Sequence, residues 1–214
     1  GFMDVTGKPV LEKDLTPTRQ YDPTVFIDDD HTPYIIFGNH VGNGYFIARL
    51  NDDMLSLAET PENIRIDEGY ARDDKSFLHK HNGIYYLSWA SHYAVSDHIY
   101  GPYTYMGNIG ASNDHSSFFE WKNQWFCAFT IFDPSYYYRS TGICYIHYRE
   151  NGEMAADQMI VENGVGQYNA DWNKIEAEWY MESHHAIKKE NVSKGFDVCP
   201  YENEAYLLFP HIYH

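Results

Sequence analysis

The chain has 214 residues, with 31 Asp and Glu against 15 Lys and Arg, for a formal charge of -16. A balance this acidic, with no basic stripe to interrupt it, argues against phosphate backbones and so excludes nucleic acid as a partner. No run of about 18 apolar residues occurs, so no membrane-spanning helix is predicted.

Aromatic residues make up 17%, with 20 Tyr and 5 Trp. Such rings suit β-strands, and they also suit stacking on the flat apolar faces of sugars. The cysteines are Cys127, Cys144 and Cys199, and none forms a C-x-x-C pair, which argues against a zinc or redox motif. Cys127 and Cys144 are left either as a disulfide or as two buried thiols.

Residues 1–20 are polar and turn-rich, punctuated by Gly7, Pro9 and Pro17, and read as an irregular connection. Residues 21–66 form a first unit. Its hairpin, Val25 to Phe37, is followed by a strand from Gly44 to Leu50 and a turn at Asn51-Asp-Asp-Met54. Residues 67–112 form a second unit around Phe77 to Trp89, with Asn82-Gly83 as its turn. Asn-Gly between two apolar runs signals a hairpin, because both residues tolerate positive φ. Residues 113–161 form a third unit, with a hairpin from Phe118 to Phe129 and a later strand from Gly142 to Tyr148. Residues 166–173 read as a linker. From Lys174 a new pattern begins, ending in the apolar run Glu204-Ala-Tyr-Leu-Leu-Phe209.

The three hairpins share more than their layout. Aligned on Phe26, Leu78 and Phe119, they place Asp22, Asp74 and His115 at one common position, four residues upstream. Hairpin units repeating every 40 to 50 residues or so predict a β-propeller, whose inner strands surround an axis. Equivalent positions on different blades converge there. Two carboxylates and an imidazole are therefore expected around one pocket.

Several stretches resemble glycoside hydrolase family 43: DPTVFIDDD at 22–30, LNDDMLSL at 50–57, FLHKHNGIYYLSW at 77–89, Asp114-His-Ser-Ser-Phe118, and RSTGICYIHYRENGEM at 139–154. The resemblance covers roughly residues 1–165 and implies an all-β, five-bladed propeller whose first blade is absent from this chain. Residues 174–214 resemble the beginning of a family 6-like carbohydrate-binding module, a β-sandwich, in which Glu176 and Glu178 would stand near a structural calcium.

What the family resemblance implies is an inverting, exo-acting hydrolase of arabinofuranosyl, xylosyl or galactofuranosyl-type linkages in plant or related polysaccharides. Inversion uses a carboxylic acid and a carboxylate roughly 6.5 to 9.5 Å apart, with room for a water between. By this analogy Asp74 is the general acid, although the family usually carries Glu there, and Glu68 is its rival. Asp22 holds the acid and raises its pKa, since a neighbouring negative charge disfavours ionisation. His115, Arg139 and Trp89 are assigned to the sugar. His115 also contacts a hydrated calcium or sodium ion at the axis, though no cofactor is required. The family's general base lies on the first blade, so this chain is expected to turn over substrate poorly on its own. The expected partner is an oligosaccharide or polysaccharide, and the expected location is extracellular or periplasmic. Two other readings stay open: a non-catalytic sugar-binding propeller or inactive fragment, and an interaction scaffold.

Other clusters point elsewhere. Asp28-Asp29-Asp30 lacks the EF-hand spacing and glycine, and reads as an acidic hairpin tip. The pairs His79/His81, His184/His185 and His211/His214 do not form the H-E-x-x-H pattern.

Overall fold

A computed structural model describes residues 3–39, 44–67, 75–111, 114–132 and 139–156, with the backbone of 182–183 and 207–208. Among these residues every helix or strand is a strand. In chain order they are β1 (Thr24–Ile27), β2 (Pro33–Asn39), β3 (Gly44–Arg49), β4 (Glu62–Asn63), β5 (Phe77–His81), β6 (Ile84–Trp89), β7 (His92–Ser96), β8 (Thr104–Asn108), β9 (Ser116–Trp121), β10 (Gln124–Phe132), β11 (Arg139–Tyr148), β12 (Met154–Ala156), β13 (Glu182–Ser183) and β14 (Leu207–Leu208).

The first twelve strands form three four-stranded antiparallel meanders, β1-β2-β3-β4, β5-β6-β7-β8 and β9-β10-β11-β12. This is the strand plan of a propeller blade. The turns follow local chemistry. Asn82 and Gly83, between β5 and β6, have φ of 49° and 81°. Positive φ at both central residues matches the right-handed twist of the flanking strands. Lys122 and Asn123, between β9 and β10, do the same at 51° and 62°.

The chain divides into two compact units, one of residues 1–108 and 113–116, the other of 109–112 and 117–214. The first unit holds the first two sheets. β2 and β3 are buried on both faces, which explains their unbroken apolar runs. Ile36, Tyr45 and Ile47 look toward the second sheet and meet Leu78, Tyr85, Leu87 and Trp89. Ile35, Phe37, Phe46, Ala48 and Leu50 form the other face, covered by Val10, Leu11 and Leu57. The irregular N-terminal stretch thus caps the first sheet. Each fully buried Ile, Leu or Phe among them contributes about 1.5–3 kcal/mol through burial.

In the second unit β10 and β11 carry the longest pairing, in which Cys127 stands opposite Cys144. Both are buried free thiols, so the two cysteines do not form a disulfide. Of the segment 174–214, the described part is the two-residue pairing of β13 with β14. Glu176, Glu178 and the linker at 166–173 lie outside the described residues.

Candidate active site

The heads of β1 and β5 and the residues just before β9 come together in the first unit. Tyr21 still belongs to the sheet, since its carbonyl accepts from Gly38 N–H at 3.2 Å. Gly38 itself must be glycine: its φ is 138°, and a Cβ would run into the Gly44 carbonyl. Asp22 then leaves the sheet with φ of 43°. Asp tolerates this left-handed state better than most residues. Pro23 follows, and β1 begins.

The half-buried Asp22 carboxylate is held from the second sheet. Its Oδ2 accepts the main-chain N–H of Lys75 at 3.0 Å. That N–H belongs to the peptide unit joining Asp74 to Lys75. Beside it, the Thr24 hydroxyl donates to the Ser76 carbonyl at 2.8 Å, pinning the start of β1 to the start of β5. The Lys75 ammonium lies 3.5 Å from Asp114 Oδ1, with side chains 17% and 2% exposed. His115 Nε2 stands 4.0 Å from the same oxygen, with its ring half exposed. Asp22, Lys75, Asp114 and His115 thus form one connected run of alternating acid and base.

Asp22 and His115 therefore share a neighbourhood through Lys75 and Asp114. Asp74 and Glu68 lie outside the described residues. Arg139 is the first residue of β11, opposite Phe132, and belongs to the second unit. Trp89 is a correction. Its indole is 1% exposed and packs on Tyr45 and Tyr105 at centroid distances of 5.9 and 6.1 Å. No ring face is open to a sugar, so Trp89 belongs to the core.

Lys75 and Asp114 were not singled out in the sequence. Each stands two residues before its strand, as Asp22 does before β1. The available signals were the charged runs Asp73-Asp74-Lys75 and Asp114-His115 at strand heads.

Chemically, the run offers a carboxylate fixed by one main-chain donor and a cation buried against a second carboxylate. Among the described residues, no group of three His, Cys, Asp or Glu side chains is placed to hold a metal ion. His115 and Asp114 supply two such groups, so a cation there would depend on further ligands such as water. Away from this run, Asp28-Asp29-Asp30 forms the tip of the β1–β2 hairpin, where Lys80 binds Asp28 and Asp29. Burial alone would raise the Asp28 carboxyl, but hydrogen bonds from Lys80, Tyr85 and the Asp29 N–H outweigh it and hold the group below its usual range. Bonds to Asp28 and Asp29 correspondingly raise the Lys80 ammonium.

The description "Glycosyl hydrolases family 43" matches residues 6–153. A beta-xylosidase of Xylanibacter ruminicola is 30% identical over 149 residues, spanning 49% of this chain and 47% of that protein. A crystal structure of a beta-xylosidase/alpha-arabinofuranosidase from a compost microbial metagenome, solved with xylotriose in a calcium-free form, is 27% identical with a TM-score of 0.55. It covers 63% of this chain and 57% of that one. An arabinoxylan arabinofuranohydrolase from Bacillus subtilis, solved with cellotetraose, shares the fold at a TM-score of 0.64 and 23% identity, over 88% of this chain and 50% of that one. The chain spans about half the length of the xylosidase and arabinofuranohydrolase relatives it matches.

Proposed function

Because the chain belongs to glycosyl hydrolase family 43, we propose that it works in an inverting, exo-acting glycoside hydrolase. Its substrates are arabinofuranosyl, xylosyl or galactofuranosyl-type linkages in plant or related polysaccharides. Relatives with xylosidase and arabinofuranosidase names, and one solved with xylotriose, support the substrate class. The observation that carries the reading is the bond from Lys75 N–H to Asp22 Oδ2. It ties Asp22 to the peptide unit that follows Asp74.

In this reading Asp74 delivers the proton to the leaving oxygen. Asp22, fixed beside the same peptide, disfavours ionisation of that acid, so it stays protonated nearer neutral pH. Glu68 is the rival acid. His115 and Arg139 bind the sugar, and His115 reaches a calcium ion through water. The whole enzyme is a five-bladed propeller of which 1–165 form part, with 174–214 beginning a carbohydrate-binding sandwich after a linker at 166–173. A polymeric substrate places it outside the cytoplasm, in the periplasm or beyond the cell.

The test uses Asp74→Asn on two substrates. Turnover of a poor leaving group should fall by about 10² or more, the usual worth of general acid catalysis. A nitrophenyl glycoside needs less protonation and should lose less. Equal, small losses on both would move the acid to Glu68. Xylotriose binding without turnover by the unaltered enzyme that contains this chain would favour a sugar-binding module instead.

A further inference from the structure

Lys75 and Asp114 have no part in the chemistry just described, yet both are unusual. Lys75 has φ of 68°, a conformation in which a side chain crowds its own carbonyl. A residue persists there only when its surroundings hold it. Asp114 is only 2% exposed, and a carboxylate so buried is costly unless a cation meets it. The ammonium of Lys75, 3.5 Å away, answers both requirements.

We infer that Asp114 and Lys75 are positioning residues for Asp22. The buried Asp114 carboxylate anchors the Lys75 ammonium. That anchor holds Lys75 in the left-handed conformation, and the conformation aims the Lys75 N–H at Asp22 Oδ2. Asp114 therefore acts on the Asp22 carboxylate across three strand heads, through the backbone of a residue between them. The inference deepens the reading of Asp22 as an active-site carboxylate and rests on it for its catalytic meaning.

Two features make the linkage directional. Asp22 is itself left-handed, so it and Lys75 are two non-glycine outliers joined by one hydrogen bond. The neighbouring bond from Thr24 to Ser76 fixes the two strand heads at the next position. A small change in φ at residue 75 would turn its N–H away from Asp22 without parting the sheets.

The experiment separates the backbone from the charge. Hydrogen exchange at the residue-75 amide is measured in the chain itself and in Lys75→Arg, Lys75→Met, Lys75→Gly and Asp114→Asn. Arginine keeps the cation, and glycine adopts left-handed φ without an anchor. Both should keep the amide protected. Methionine keeps the Cβ but loses the cation, and protection should fall roughly tenfold, as should that of Asp114→Asn. Protection undiminished in Lys75→Met, or lost in Lys75→Gly as fully as in Lys75→Met, would overturn the inference. If Lys75→Met does not fold, as judged by near-ultraviolet dichroism, Lys75→Gly is compared with Asp114→Asn. Protection kept in the first and lost in the second supports the linkage, and any other pattern overturns it. In parallel, kcat on a nitrophenyl xyloside should rank the variants in the same order, with KM little changed. These rates are read in the enzyme that contains this chain; if that enzyme is inactive, the hydrolase reading fails and the exchange result stands.

Discussion

Lys80 on β5 donates to Asp28 Oδ1, just past the end of β1, at 2.7 Å and so joins the second sheet to the first. Tyr85 from β6 donates to the other oxygen at 2.6 Å, and the ammonium also lies 4.6 Å from the Tyr85 ring centroid. Asp29 adds a contact at 2.8 Å, but its side chain is 84% exposed. The partly buried pair, Lys80 with Asp28, carries the joint. Lys80→Met removes one partner and leaves the Asp28 charge without it, which should cost about 2–4 kcal/mol. Urea midpoints check this. The double variant Lys80→Met with Asp28→Asn should recover part of the loss, because no half-paired charge remains. A double variant no better than the single would mean that the joint is not electrostatic.

Acid stability should depend on His79. This ring is 4% exposed and stacks on Tyr86 at 5.0 Å. Burial lowers its pKa to about 3. In the unfolded chain an imidazole takes up its proton near about pH 6.5. Between those values the unfolded state binds more protons, so stability rises with pH. The His79 contribution is complete above the unfolded value and drains as pH falls toward the folded one. Urea midpoints should therefore drop from about pH 7 to about pH 5. His79→Phe retains a ring for Tyr86 and should flatten that part of the profile. An unchanged drop in the variant would assign the loss to other groups.

Trp89 gives a third prediction, one that separates packing from sugar binding. Truncation to alanine should cost about 3–5 kcal/mol, the usual penalty for a large buried aromatic. Trp89→Phe should cost less, and KM for an aryl glycoside should stay within about twofold, since a change far smaller than about 1.4 kcal/mol in binding is implied. A tenfold rise in KM with stability intact would restore Trp89 to the sugar site.

Much of the local structure was legible in the sequence because it depends on near neighbours. Asn82-Gly83 turns where it does because both residues accept positive φ. The run from Val25 to Phe37 announced a hairpin, and its repetition announced successive meanders, while the burial of β2 on both faces came from packing. The charged positions at strand heads were visible as well, which brought Asp22 and His115 into view. What period and turn chemistry do not carry is the surroundings of a side chain once sheets pack. Trp89 reads the same in sequence whether it stacks on a sugar or on Tyr45, and only the packing of the second sheet on the first buries it. The hairpin alignment paired Asp22 with Asp74 and His115. The strand boundaries instead put Asp22, Lys75 and Asp114 two residues before β1, β5 and β9. The two offsets run opposite ways, one residue later at Lys75 and one earlier at Asp114, and Asp22 and Lys75 both take left-handed turns. Those turns are held by contacts between strand heads 53 residues apart in the chain, and no local pattern encodes a contact at that separation.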